Sequence, residues 1–216
     1  MLEIEMIIKD KRIMEYAIKI FDDHPRYGGL SEKVVKYTFS QCKKNTDFEE
    51  VRVKVITLCS LYGAGWFNID DMANKIFKIA DLDKCLDNGC LSAVESIRYG
   101  IKKKEKGRRG DYVFATKYCC LHNQNAYPIY DRLVSGLLFE INNKSCTLVE
   151  ELEKGEQMHD YSVYKQLIDS FRNKLEMNNY NYRTIDKGLY MIAWYYKNDP
   201  WVIRKLDCFL AVNGII

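Results

Sequence analysis

The stretch that decides the fold is "GDYVFATKYCCLHNQNAYPIYDRLVSGLLFEIN", residues 110–142. Its apolar residues recur at helical spacing in two segments, one from about Asp111 to His122 and one that starts near Asp131. The residues "NQNAYP" join the two segments, and Pro128 closes this short turn. Asp131 stands at the start of the second helix. A carboxylate in that place either caps the helix N-terminus or is held there for chemistry.

A strongly basic turn precedes the first of these helices. The sequence "KKKEKGRRGD", residues 102–111, places six cations beside Gly107 and Gly110. Glycines in such a turn let backbone amides point outward at a helix N-terminus, an arrangement that attracts phosphate. The residues that this pattern predicts to contact a DNA backbone are Lys104, Lys106, Gly107, Arg108, Arg109 and Gly110. The alternative is a solvated turn whose lysines complement the dipole of the preceding helix.

The remainder of the chain is predicted to be helical as well. Only 3 Pro and 12 Gly in 216 residues disfavour a loop-rich β architecture, and the apolar periodicity predicts about ten helices. Residues 51–56, "VRVKVI", alternate like a strand, but the acidic start and the glycine end of the longer segment favour a buried helix. We therefore expect one all-α domain over residues 1–216. Residues 50–142 would form one lobe of it, and 1–49 with 143–216 the second.

Cysteine use and apolar patterning point to a reducing, aqueous compartment. Most of the eight cysteines lie in apolar runs, where thiols pack as small hydrophobes. The opening residues "MLEIEMIIKDKR" lack the pattern of a signal peptide, and no apolar run approaches the ~18 residues that cross a bilayer. We expect a cytoplasmic protein with free thiols and no membrane association. The net charge of +3 permits a nucleic-acid partner without arguing for one.

The nearest approach to a metal-binding motif is "CCLH", which sets Cys119 and Cys120 beside His122. Adjacent cysteines on a helix point in different directions, and no CxxC pair occurs in the chain. A cysteine nucleophile activated by His122 is disfavoured too, because no third group is placed to orient the imidazole. We expect neither a metal nor another cofactor.

The order of helix, glycine-bearing turn, helix, short apolar loop and aspartate resembles the helix-hairpin-helix DNA glycosylase superfamily, which includes endonuclease III and the 8-oxoguanine DNA glycosylases. Gly107 and Gly110 lie 24 and 21 residues before Asp131, and "YPIYD" is similar to the family's approach to its catalytic acid. The resemblance covers about residues 50–140 and implies a two-lobed helical fold that binds duplex DNA and excises a flipped base. It makes Asp131 the carboxylate that stabilises positive charge on the sugar.

The sequence departs from that family at the position of the catalytic lysine. Bifunctional members carry the lysine about 18 residues before the aspartate, where this chain has Val113, whereas Lys117 lies 14 residues before Asp131. Lys117 is therefore the candidate lysine, displaced by one helical turn, about 6 Å, which disfavours lyase chemistry. The hairpin also has one more residue between its glycines than is usual. The cysteine spacing of the iron–sulfur members is absent.

The resemblance further implies an aromatic and apolar pocket for the flipped base. The candidate pocket residues are His122, Tyr127 and Tyr130, together with Trp66 and Phe67. A separate aromatic cluster, "AWYYKNDPW" at 193–201, is better explained by core packing than by base stacking. Two other classes stay open, a non-catalytic DNA-binding relative and a helical protein-interaction module.

Overall fold

The computed structural model describes residues 2–25, 27–62, 68–99, 109–150, 152 and 157–215, with only the backbone at 30, 109 and 110. The described residues form twelve α-helices and a 3-10 turn at Gln157–His159, and none of them belongs to a β-strand. The helices are α1 (Ile4–Lys9), α2 (Lys11–Asp23), α3 (Leu30–Gln41), α4 (Phe48–Tyr62), α5 (Ile69–Phe77), α6 (Leu82–Asp87), α7 (Ser92–Tyr99), α8 (Arg109–His122), α9 (Arg132–Lys144), α10 (Tyr161–Lys174), α11 (Tyr182–Tyr195) and α12 (Pro200–Val212). The predicted all-α class is confirmed.

The chain divides into two compact units. The terminal unit combines Met1–Gly28 with Asp131–Ile216, and the central unit is Gly29–Tyr130. These bounds differ from the predicted lobes, which placed the divisions at residues 50 and 142. Helix α3 belongs to the central unit because it packs against α4 and α8, and α9 belongs to the terminal unit because it packs against α1 and α11.

The terminal unit is built around α11, which packs most extensively against α2 and also contacts α9 and α12. Gly188 makes the close approach to α2 possible. A Cβ atom at position 188 would lie 2.7 Å from Met14 Cε and 3.2 Å from the Met14 carbonyl oxygen. Three charged side chains of α11 are buried: Arg183 pairs with Asp186, and Lys187 Nζ lies 2.7 Å from Oδ1 of Asp22, an exposed residue of α2. Close packing of this helix therefore sets the shape of the unit.

The central unit contains the segment whose alternation resembled a strand, and there it is helix α4. Val51, Val55 and Leu58 are fully buried at helical spacing, whereas Val53 is 43% exposed. The alternation in "VRVKVI" is therefore a coincidence of composition, because burial follows a period of 3.6 residues.

The apolar periodicity predicts one helix over residues 8–23 and one over 68–86, and each is divided in two, so that the described residues form twelve helices instead of about ten. Asp10 ends α1 and caps α2, its side chain accepting from the Arg12 backbone amide. Asp81 separates α5 from α6 with a left-handed backbone, φ 55°. Gly29 precedes α3 with φ 70°, and Ser31 lies inside that helix.

We expect Glu176→Gly to raise the free energy of unfolding by about 0.5–1 kcal/mol. Glu176 follows α10 with φ 55°, and Met177 N donates to Arg172 O at 2.9 Å, a helix end that glycine adopts without strain. Urea unfolding measures the change. Lys174→Gly is the matched control: this exposed residue has ordinary helical geometry, so glycine there should cost about 1 kcal/mol. Equal effects of the two substitutions would contradict the prediction.

Candidate active site

Asp131 lies directly before α9 and caps that helix. Its Oδ1 accepts hydrogen bonds from the backbone amides of Leu133 at 2.7 Å and Val134 at 3.4 Å. Oδ2 accepts no hydrogen bond from the residues that the structure describes, and the side chain is half-buried. The capping role is therefore established, and it leaves one carboxylate oxygen available in a fixed orientation.

The negative charge of Asp131 affects the pKa of the Tyr190 hydroxyl, which lies in the same unit. Burial raises the pKa of Tyr190 on α11, the nearby indole N–H of Trp194 opposes that rise, and the negative charge of Asp131 adds to it. Tyr190 therefore stays protonated at neutral pH and can donate a hydrogen bond.

Tyr190 belongs to an aromatic cluster of the terminal unit, formed with His24, Tyr27 and Trp194. The Tyr190 ring meets the Tyr27 ring edge-on at 5.3 Å between centroids, and Tyr27 stacks on Trp194 at 5.8 Å. His24 also stacks on Tyr27, with 4.4 Å between the ring centroids. The sequence carries a partial signal for the cluster, since Tyr190 and Trp194 are four residues apart on one helix face. Nothing local connects them to Asp131.

Lys117 lies on α8 in the central unit and is anchored there. Its Nζ donates to the Tyr62 carbonyl oxygen at 3.1 Å and lies 5.6 Å from the centroid of the Tyr62 ring. The Tyr62 hydroxyl donates to the buried Glu32 carboxylate, whose Oε1 is 3.5 Å from Lys36 Nζ. The amine of Lys117 is therefore a member of a polar cluster that joins α3, α4 and α8.

His122 lies at the end of α8 in a polar network of the central unit. Its Nε2 is 3.3 Å from Lys54 Nζ, and its ring packs against Phe39 and Tyr118. Burial and then the positive charge of Lys54 lower the pKa of His122 to about 3. The imidazole is therefore neutral at physiological pH and can accept a hydrogen bond from Lys54.

The two tyrosines proposed for a base pocket are covered in the core of the central unit. The Tyr127 hydroxyl donates toward the carbonyl oxygens of Cys85 at 2.9 Å and Cys90 at 3.0 Å. The Tyr130 ring lies 4.6 Å from that of Tyr112, and its backbone amide donates to Thr116 Oγ1. A pocket lined by Tyr127 and Tyr130 would require neighbouring side chains to open. Their role therefore stays a prediction.

The predicted DNA-binding turn falls largely outside the described residues. The residues of the turn that are not described are Lys104, Lys106, Gly107 and Arg108, and only the backbone is described at Arg109 and Gly110. The pocket candidates Trp66 and Phe67 also lie outside the described residues. Helix α8 begins at Arg109, so Gly110 lies inside its first turn rather than in the turn before it. Asp111 in the same first turn has Oδ2 3.5 Å from Lys75 Nζ.

Acid should destabilise the central unit through His122. The folded ring resists protonation down to about pH 3, whereas the unfolded ring takes up a proton below about pH 6.5. The unfolded state therefore binds more protons between these values, and the free energy of unfolding falls as the pH is lowered. From pH 7 to pH 5 the loss should reach about 2 kcal/mol.

The His122→Gln variant isolates this contribution, because it keeps an acceptor for Lys54 and cannot titrate. Urea unfolding at pH 7 and pH 5 should show a smaller loss for His122→Gln than for the unchanged protein. Carboxylates titrate in both proteins and cancel in the comparison. Identical pH dependence of the two would contradict the assignment.

The described part of the chain lacks two further features. No three His, Cys, Asp or Glu side chains come together there as a metal ion would require. Among the described helices, none combines the length and the apolar character needed to cross a bilayer.

The chain matches one protein family over residues 12–126. Residues 12–126 match the HI_0787_N family, which is described as an N-terminal domain, and the match covers more than half of the chain. The chain therefore belongs to this family. The matched segment includes Lys117 and His122 and ends shortly before Asp131.

A relative from Haemophilus influenzae, which carries the description "Uncharacterized protein", is 31% identical over 137 residues. The similarity covers 62% of this chain and 61% of the relative, so the chain spans less than two thirds of the length of the relative. No solved structure matches the chain.

Proposed function

We propose that the protein is a helix-hairpin-helix type DNA glycosylase that binds duplex DNA in the cytoplasm and hydrolyses the N-glycosidic bond of a flipped, damaged or modified base. The observation that carries the proposal is the geometry of Asp131. One oxygen of its carboxylate is fixed by the amides of Leu133 and Val134, and the other accepts no bond from the described residues. The capping role thereby orients the carboxylate and leaves its second oxygen available.

In the proposed reaction, the second carboxylate oxygen of Asp131 faces the sugar of the flipped nucleotide. As the bond between C1′ and the base nitrogen breaks, the base leaves with the electron pair and takes up a proton, and positive charge builds on the sugar ring. Asp131 stabilises this charge and accepts a proton from the water whose oxygen bonds to C1′. The products are a free base and an abasic sugar.

Lys117 favours hydrolysis over lyase chemistry in this proposal. A lysine nucleophile must present a neutral, accessible amine to the sugar, whereas Lys117 Nζ donates to the Tyr62 carbonyl oxygen and lies beside the Tyr62 ring. In this proposal, Lys117 therefore has a structural role, and water is the nucleophile.

Binding is assigned to the basic turn at 102–111. Backbone amides and several cations at the start of α8 would contact phosphates without reading sequence. The binding should weaken steeply with salt because counterions are released from the DNA. With four to six phosphate contacts, the logarithm of affinity should fall against the logarithm of salt with a slope of about −4 to −5.

The test uses DNA probes that do not depend on which base is excised. One duplex carries a pyrrolidine in place of a nucleoside, so that a cationic ring occupies the position of the sugar. A matched duplex carries the neutral tetrahydrofuran. Because an enzyme is complementary to its transition state, we expect the cationic probe to bind at least about 100-fold more tightly. Fluorescence anisotropy over a range of salt concentrations measures both affinities.

The outcomes separate the alternatives. Salt-dependent binding with equal affinity for the two probes would indicate a DNA-binding protein without glycosylase chemistry. No binding to either duplex at low salt would remove the DNA-binding proposal as well and favour a protein-interaction module.

A further inference from the structure

The C-terminus of α6 brings two cysteines together. Gly89 follows the helix with φ 70°, Cys90 N donates to Cys85 O at 2.9 Å, and Gly89 N donates to Leu86 O at 3.3 Å. This pair of bonds defines a Schellman cap, in which the side chain three residues inside the helix frequently contacts the side chain two residues beyond it. In most such caps that contact is apolar. Here both positions are cysteine.

The two thiols interact and are partly accessible. Hydrogen bonding to the Cys85 thiol, with a contribution from burial, raises the pKa of Cys90. Neither residue is fully buried, unlike the adjacent pair Cys119 and Cys120 in α8. An oxidant in solution can therefore reach the pair.

We propose that Cys85 and Cys90 are a redox modification site that closes to a reversible disulfide. With hydrogen peroxide as oxidant, one thiolate attacks a peroxide oxygen and becomes a sulfenic acid, releasing hydroxide. The second thiol attacks that sulfur, the new S–S bond forms, and water leaves. Two electrons pass from the two sulfurs to the peroxide, which ends as two water molecules. The inference is independent of the proposed glycosylase activity.

The surrounding contacts hold the two residues in place for this reaction. The Tyr127 hydroxyl reaches the carbonyl oxygens of both Cys85 and Cys90, and Asn123 Nδ2 donates to the carbonyl oxygens of Leu86 at 3.1 Å and Asp87 at 3.2 Å. The loop is thus fixed at both of its cysteines. Such positioning favours capture of the sulfenic acid by its neighbour over further oxidation.

The backbone at Gly89 is closely packed and has a conformation that favours glycine. A Cβ atom there would lie 2.9 Å from Ala126 Cβ, and the positive φ disfavours other residues. Glycine at this position therefore preserves the cap that joins Cys85 and Cys90.

The experiment reads the disulfide directly. The folded protein is treated with hydrogen peroxide, alkylated with iodoacetamide and digested with trypsin, which cuts after Lys84 and Arg98 and leaves both cysteines in one peptide, 85–98. We expect that peptide to lose two hydrogen atoms, to escape alkylation, and to regain its original mass after dithiothreitol. The reaction should accelerate from pH 7 to pH 9, because the raised pKa of Cys90 keeps its thiol protonated near neutrality.

Cys85→Ser and Cys90→Ser are the matched variants. Each should leave the remaining cysteine open to alkylation or to irreversible oxidation, and serine preserves the size of the side chain. Cys208, which is exposed, is the internal control for a cysteine without a neighbour in its peptide. If peptide 85–98 is alkylated at both cysteines after peroxide treatment, or if either serine variant behaves like the unchanged protein, the proposal is overturned.

Discussion

Replacing Asp131 by Asn should reduce base excision at least about 1,000-fold while leaving duplex affinity within about twofold. Asparagine keeps an acceptor at the Oδ1 position for the amides of Leu133 and Val134, so α9 keeps its cap. What the substitution removes is the negative charge that faces the developing positive charge on the sugar. The loss should therefore appear in the chemical step and not in the binding of DNA.

Asp199→Asn is the matched control within the same unit. Asp199 caps α12 through Oδ1, which accepts from Trp201 N and Val202 N at 3.0 Å each, and it is half-exposed like Asp131. Both substitutions should change the free energy of unfolding by less than about 1 kcal/mol. Only Asp131→Asn should also abolish the preference for the pyrrolidine duplex.

The measurements are single-turnover release of free base from duplexes that carry single modified nucleotides, and anisotropy with the two abasic probes. An Asp131→Asn protein that keeps both excision and the pyrrolidine preference would show that Asp131 is only a helix cap. Loss of activity in Asp199→Asn as well would trace the effect to helix stability instead of charge.

Local patterns predict most of the helices of this chain, because capping residues and apolar periodicity can be recognised within a short stretch of sequence. Asp131, Asp160 and Asp199 each accept from amides two and three residues later, as their place before an apolar helix indicates. The break at Asp81 escaped prediction because a left-handed aspartate has no periodic signature. The unit boundaries escaped because they depend on which helices pack together.

The candidate site is less predictable because it joins residues that are distant in sequence. Asp131 stands out from its local context, yet its relation to Tyr190 arises only when α9 and α11 pack in one unit. Lys117 has the expected residue type near the expected place, but only the structure shows its bond to the Tyr62 carbonyl oxygen. Sequence spacing therefore identifies candidates, and packing decides what each side chain can reach.

Lys54 is the clearest case of a residue whose role only the structure reveals. It lies in the apolar helix α4, where a lysine would be expected to face solvent, yet it is fully buried. Its Nζ donates to Asn45 Oδ1 at 2.8 Å and to the Lys44 carbonyl oxygen at 3.0 Å, and lies 3.3 Å from His122 Nε2. Asn45 in turn donates through its backbone and side-chain nitrogens to the Asp83 carboxylate.

We expect Lys54→Met to destabilise the central unit by about 3–5 kcal/mol. Methionine fills much of the volume of the lysine stem, so the loss is due to the amine. Without it, the Lys44 carbonyl oxygen and Asn45 Oδ1 lose a buried donor, and the Asp83 carboxylate loses its nearby positive charge. Lys44→Met, which removes an exposed amine on the adjoining loop, should change stability by less than about 0.5 kcal/mol.

The pH dependence of this difference tests the cause. Burial lowers the pKa of Lys54 to about 8, against the opposing charges of Asp83 and Glu50. Above that value the folded amine is neutral, while the unfolded amine stays protonated up to about pH 10.5. The unfolded state then binds more protons, so the stability that Lys54 contributes should rise by about 1 kcal/mol from pH 8 to pH 9. Urea unfolding should show the gap between Lys54→Met and the unchanged protein widening over that interval, whereas a constant gap would mean that the amine titrates as if it were in water.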